Sequence, residues 1–305
     1  MKQKKQSKRV ILFSLLLWGI FPLLSVNMMT SIGKSIQTIS VMKEDTKTLS
    51  NKIDDMPFSA KQAYNQNEEI LTIMQSLVLE IEQFDEQVPP KVELIPGQKY
   101  AYLTFDDGPS NNTIKILDYL LEQDIKATFF VIEVPGREDV YKRIIDEGHA
   151  IGVHSSTHIY ADIYQNVDTY FADIENLAEV IKQYTDGYEA DILRFPGGSN
   201  NTVSLKFGGP DIMSDLKVAV EDWGYIYFDW NVDSLDASAS VQDKDVIVNA
   251  VLSQSSKLEQ PVILMHDSAA KTTTAEALPE IVEGLKAQGF LFEKLTIDTP
   301  VVQFK

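Results

Sequence analysis

From Lys99 onward the chain alternates short apolar runs with stretches of helical periodicity, and few architectures accommodate that rhythm. Residues 101–105, 127–132, 150–153, 192–195, 225–232, 261–265 and 290–292 read as buried strands. Between them, Ile114, Leu117 and Leu121 mark one face of the first helical stretch, and Ile281 and Leu285 one face of the last. Alternation repeated about seven times predicts an α/β fold with a parallel sheet, either a barrel or doubly wound. Asp106 and Asp107 follow the first run, and His154 follows the third. Arg194 ends the fourth, Asp233 and Asp236 follow the fifth, and His266 follows the sixth. Parallel barrels carry their active sites at the C-terminal ends of strands, so residues scattered over 160 positions are expected on one rim.

The residue types suit hydrolysis. Thr104-Phe105-Asp106-Asp107-Gly108-Pro109 sets two carboxylates side by side. Adjacent residues leaving a strand point opposite ways, so one can bind a metal while the other abstracts a proton. Gly-Pro then turns the chain sharply. Alone, the dipeptide is an ordinary acidic turn; a pair after a buried strand must find partners. His154-x3-His158 is expected to set two imidazoles on one helical face. With one carboxylate they form a two-His-one-Asp set that leaves a position open for water, as in catalytic zinc sites. His149 falls outside that spacing and reads as structural. His266 is a candidate general acid, the plainer reading being a core histidine satisfied by backbone. A carboxylate from Asp233 or Asp236 would raise its pKa and keep it protonated. Arg194-Phe195-Pro196-Gly197-Gly198 offers an Arg able to fix a base carboxylate. Its turn exposes backbone N–H groups that suit an oxyanion; a structural salt bridge and turn is the alternative.

Composition excludes some classes. Five of the 27 basic residues lie within residues 1–9, which hold no acid, so the remainder sets 22 basic against 45 acidic side chains. No nucleic-acid partner is expected, since that affinity rests on neutralising phosphates. With no cysteine in the chain there are no disulfides, thiolate metal sites or Cys nucleophiles. Residues 10–29 carry no charge over about the length a membrane span needs. With the basic cluster before them they predict a single-pass anchor: 1–9 a cytoplasmic tail, 10–29 the span, and an extracellular remainder at the cell membrane. A cleavable signal peptide is the rival, although Ser25-Val26-Asn27 is a poor cleavage site. Residues 30–98 carry two near-heptad apolar stripes, ended by Pro57 and by Pro89-Pro90, and read as a helical stalk. The stalk is expected to be a solvated spacer, a coiled coil that makes a homodimer, or a helix whose second stripe docks on the catalytic domain. Residues 99–305 form the expected catalytic domain.

Residues 104–109, 154–158, 194–198, 233–236 and 264–266 together resemble the five ordered motifs of the polysaccharide deacetylases, carbohydrate esterase family four. The resemblance covers roughly residues 99–290. It implies a distorted (β/α) barrel of about seven parallel strands and metal-dependent removal of acetyl groups from a glycan. Carried over by position, it implies Asp107, His154 and His158 as metal ligands, Asp106 as base with Arg194 as its partner, and His266 as acid. It also implies the Gly197 N–H as oxyanion donor and Leu264 in the acetyl pocket. One motif departs from the pattern: the family's Asp-x-x-Asp-Trp is here Asp233-Ser-Leu-Asp236 followed by Ala237. The resemblance therefore does not carry over the wall that Trp builds, and the expected partner of His266 is Asp233 or, preferably, Asp236. The expected cation is divalent, Zn2+ first, with Co2+, Mn2+, Ni2+ and Fe2+ compatible. The expected substrate is a cell-wall glycan, N-acetylglucosamine of peptidoglycan. Chitin-type or biofilm oligosaccharides and acetylated xylan are the rival substrates. A catalytically silent glycan-binding module on a membrane stalk is the reading of another class, against which the complete constellation weighs.

Overall fold

The structure, a computed structural model, describes Ile95 and residues 97–305. The chain divides into two units, Met1–Val92 and Glu93–Lys305, and the described residues belong to the second. The expected tail and membrane span, and all of the stalk up to residue 94, lie outside the described residues. Among the described residues no helix is long and apolar enough to cross a membrane.

Strands β1 (Lys99–Asp106), β2 (Thr128–Ile132), β3 (Ala150–Ser155), β4 (Ile192–Leu193), β5 (Ile226–Tyr227), β6 (Val232–Asp233) and β7 (Val262–His266) pair in parallel in the order β5-β4-β3-β2-β1-β7-β6. A further strand, β8 (Phe290–Phe292), pairs with the start of β1. The result is a curled half-barrel. Its outer face is covered by helices, among them α1 (Asn111–Gln123), α2 (Glu138–Asp146), α3 (Tyr160–Ile163) and α4 (Val167–Tyr184).

Period-two alternation divides the core and also builds the site. In β1, Ala101, Leu103 and Phe105 pack outward with Ile116, Leu117 and Leu120 of α1. Tyr100 and Tyr102 instead join Phe130, Ala150, Ile192, Phe228 and Val262 inside the curl. Continuing the inner series two residues at a time gives Thr104 and Asp106 on β1, Gly152 and His154 on β3, Arg194 just past β4, and Leu264 and His266 on β7. The interior is thus apolar where the strands enter and polar where they leave. Register completes the arrangement: Asp106 lies directly opposite His266, and Thr104 opposite Leu264.

The run 225–232 is not one strand. β5 and β6 lie at opposite edges of the sheet, and residues 228–231 step across its open side. The Phe228 N–H still bonds the Leu193 carbonyl, while the Asn231 N–H already bonds that of Val262. A continuous strand would leave the carbonyls at the crossing without partners. Here the Arg194 guanidinium supplies them, donating to the Phe228 and Asp229 carbonyls at 3.0 Å each. The run 192–195 likewise stops at Leu193, which frees Arg194 for this role. In α1 the buried face is Ile116, Leu117 and Leu120, and Leu121 is exposed. Ser110 and Thr113 form a capping box that starts the helix with Asn112 and Thr113 turned inward, which rotates Leu121 outward.

Candidate active site and metal centre

Both carboxylates of the Asp pair face the mouth of the half-barrel, for different reasons. Asp106 ends β1 on its inner face, almost fully buried. Its Oδ1 accepts from the Arg194 guanidinium at 2.8 Å, and Arg194 also donates to Thr104 Oγ1 at 2.7 Å. Simple alternation would send Asp107 away. It instead adopts φ 72°, a left-handed conformation that Asp tolerates better than most residues, and this returns its side chain to the cleft. Gly108 follows because any side chain there would collide with the buried Asp267 carboxylate.

The Asp107, His154 and His158 donor atoms lie within 4.8 Å of one another. Asp107 Oδ1 is 3.4 Å from His154 Nε2 and 3.3 Å from His158 Nε2. The oxygen is buried, yet neither contact makes a hydrogen bond. Three donors about 2.0–2.1 Å from a common ion in tetrahedral array stand roughly 3.3–3.4 Å apart, so the set fits a cation. The tautomer fits as well: His154 Nδ1 donates to the Arg194 carbonyl at 2.8 Å, which leaves Nε2 bare toward Asp107. Burial alone would raise the Asp107 pKa, but the adjoining His154, with charge from His158 and His266, holds it well below the usual carboxylate range. Burial, followed by the neighbouring His154, pushes His158 below its ordinary value.

The two histidines do not share a helical face. His154 belongs to β3, whereas His158 sits in the following turn at φ 53°, before α3 begins. Asp173 of α4 imposes that turn. Its carboxylate accepts from Ser155 Oγ (2.7 Å), the Ser156 N–H (2.8 Å), and the Thr157 N–H and Oγ1 (3.0 Å each). Ser155 Oγ in turn accepts from the His158 N–H at 2.8 Å. Asp173 was not legible in the sequence as a site residue. Its only signal is an acid beside the buried stripe of Tyr170, Ile174 and Leu177.

Across the cleft, Asp236 holds His266 at two points. Asp236 Oδ1 is 2.8 Å from His266 Nδ1, and Oδ2 accepts the His266 N–H at 2.8 Å and Thr274 Oγ1 at 2.9 Å. Burial opposes the charged imidazole, but the Asp236 bond and charge, with Asp106 and Asp107 adding, push its pKa up to about 9. Asp233 is elsewhere: its Oδ1 accepts the Leu235 N–H at 2.8 Å and shapes the turn. Ala237 is exposed, and Lys271 Nζ holds its loop by donating to the Asp236 and Ala239 carbonyls. Leu264 is buried and lies on the same side of β7 as His266. Gly197 is exposed at φ 78°, and its N–H makes no hydrogen bond within the described residues. His149 is structural, accepting the Ala127 N–H at 3.1 Å; burial and nearby cations push its pKa down to about 3.

The curled parallel half-barrel thus gathers on one rim a buried Asp–Arg pair, an Asp-His-His cluster able to hold a metal ion and an Asp-held His, the parts a hydrolytic site needs. A polysaccharide deacetylase family model matches residues 94–208. A peptidoglycan-N-acetylglucosamine deacetylase of Bacillus cereus is 37% identical over 205 residues, 64% of this chain and 69% of the relative's length. The solved catalytic domain of a peptidoglycan N-acetylglucosamine deacetylase from Eubacterium rectale superposes with TM-score 0.66 at 35% identity, covering 71% of this chain and 99% of that one. A solved polysaccharide deacetylase from Bacillus cereus gives TM-score 0.58 at 34% identity, with 67% and 96% covered. The chain belongs to the polysaccharide deacetylases, a family of hydrolases that act on amide bonds and in general depend on a metal.

Proposed function

We propose that this chain removes N-acetyl groups from N-acetylglucosamine of peptidoglycan, with a divalent cation held by Asp107, His154 and His158. The observation that carries the reading is the Asp-His-His donor cluster beside Asp106 and His266, which occupy paired strand ends. Bound there, a cation such as Zn2+ would acidify water and polarise the acyl oxygen. Asp106, kept in place by Arg194, takes the proton of the attacking water. The Gly197 N–H donates to the acyl oxygen as it gains charge. His266, its Nδ1 engaged by Asp236, presents Nε2 and protonates the departing nitrogen, which leaves poorly without that proton. Acetate and a free amino sugar result. The uncharged stretch 10–29 supports a membrane-anchored enzyme working on the outer face of the cell, and the stripes of 30–98 support a stalk that pairs two chains. Both proposals rest on sequence alone.

The test is acetate release by the full chain from wall sacculi, compared with chitin oligomers and acetylated xylan. Release from sacculi that stops on chelation and returns with Zn2+ is expected. No release by a protein with bound metal would sink the reading, and preference for chitin or xylan would reassign the substrate.

Two further outcomes follow from the geometry. Asp173→Ala should weaken Zn2+ binding about 10- to 100-fold, as losing the support of a ligand does, with the fold retained; calorimetric titration reads this, and an unchanged affinity would mean the 155–158 turn holds without Asp173. Asp236→Asn should move the alkaline limb of the kcat profile down by more than one pH unit, because the acid must be protonated and Asp236 is what keeps it so. A bound cation offsets the Asp106 and Asp107 contributions, so the comparison is between variants. The pairing also stabilises the fold: its contribution is complete below the unfolded value of 6.5 and is lost as pH rises through about 9.

A further inference from the structure

We infer that Tyr160 is a further catalytic residue of this site, its phenol O–H donating to the same acyl oxygen as the Gly197 N–H. The inference deepens the reading above and rests on it.

Tyr160 opens α3, two residues beyond His158. Its ring meets the His158 ring edge-on at 5.6 Å and the Tyr164 ring at 5.3 Å, so its direction is fixed from both sides. The two tyrosines reach the same turn with different results. Tyr164 is buried, and its hydroxyl donates to the Pro196 carbonyl at 2.8 Å. The Tyr160 hydroxyl arrives at the next residue, Gly197, and makes no hydrogen bond within the described residues. A Cβ on Gly197 would stand 2.5 Å from that hydroxyl oxygen. The glycine is therefore required twice, by its φ of 78° and by the phenol lying against it. Here a phenol O–H and the N–H of the glycine it lies against, both donors and neither hydrogen-bonded among the described residues, stand next to His158 of the metal cluster. Two donors call for an acceptor, and a phenol keeps its proton through the neutral range. In the proposed reaction the group that gains negative charge at this place is the acyl oxygen, which is where preorganised donors act most strongly. Packing explains the ring, and the hydroxyl is left free to donate to a bound substrate.

The test compares wild type with Tyr160→Phe as full chains loaded with Zn2+. The variant keeps the ring and its contacts with His158 and Tyr164, so it removes only the donor. kcat on N-acetylglucosamine oligomers should fall about 10- to 100-fold, somewhat less than for a sole oxyanion donor. KM and Zn2+ affinity should stay within about twofold. A second readout is independent of turnover: acetate, whose carboxylate oxygens stand in for the acyl oxygen, should bind the loaded variant several-fold more weakly by calorimetric titration. A kcat within threefold of wild type with unchanged acetate affinity would overturn the inference. So would a loss that follows Zn2+ affinity, which would make Tyr160 a support for His158. A wild type that binds Zn2+ and acetate but releases none from any glycan would defeat the proposed function instead, and the acetate comparison would then decide the role of Tyr160 as a donor.

Discussion

Asp106→Asn is expected to lower kcat by about 10²- to 10⁴-fold, the usual contribution of a general base, while Zn2+ affinity changes only a few-fold. Asparagine has nearly the same shape and still offers an oxygen to the Arg194 guanidinium, whose bonds to Thr104, Phe228 and Asp229 do not involve the lost charge. What disappears is the proton acceptor. Asp107 cannot replace it, because its buried oxygen faces His154 and His158. Steady-state kinetics with a metal titration on the same sample separates base from ligand. Turnover near the wild-type rate would remove Asp106 from the mechanism, and loss of metal instead of turnover would exchange the roles of the two carboxylates.

Arg194→Met should destabilise the fold by about 3–5 kcal/mol, the range for breaking a buried ion pair from one side. Arg194 has no exposed surface, and its guanidinium stacks on the Phe130 ring at 4.2 Å. Methionine fills part of that space but donates nothing. Asp106 is left charged and buried, and the Phe228 and Asp229 carbonyls at the crossing lose their donors. Urea denaturation measures the loss as a lower midpoint. Combining it with Asp106→Asn should cost less than the sum of the single changes, since the double variant leaves no orphan charge. A midpoint equal to wild type would mean that the crossing at 228–231 closes the half-barrel without Arg194.

What the sequence disclosed follows from what it encodes locally. Period-two alternation is written in side-chain identity, so the sequence alone sets Asp106, His154, Arg194 and His266 on strand ends. The preference for Asp236 over Asp233 came with the resemblance, because the register that lays Asp106 against His266 and brings the turn after β6 beside both is not written in the side chains. Three features depend on backbone angles or distant partners and left no such mark. The spacing of His154 and His158 suits a helix equally well; a carboxylate from α4 makes it a turn. Residues 225–232 read as one strand because an apolar run does not record where its backbone groups find partners. Nothing local to Tyr160 in the sequence records that its hydroxyl lies against Gly197.

Two of the three proposed ligands, Asp107 and His158, occupy left-handed backbone conformations that non-glycine residues enter at some expense. The sequence that folds most comfortably is therefore not the one that captures a cation. Selection for thermal stability in a chelating medium would favour Asp107→Gly, which relaxes the angle and removes a buried oxygen that has no hydrogen-bond partner among the described residues. Selection with metal present would restore Asp. Metal supply in the surroundings would thus decide whether this rim persists through generations or erodes into a quieter fold.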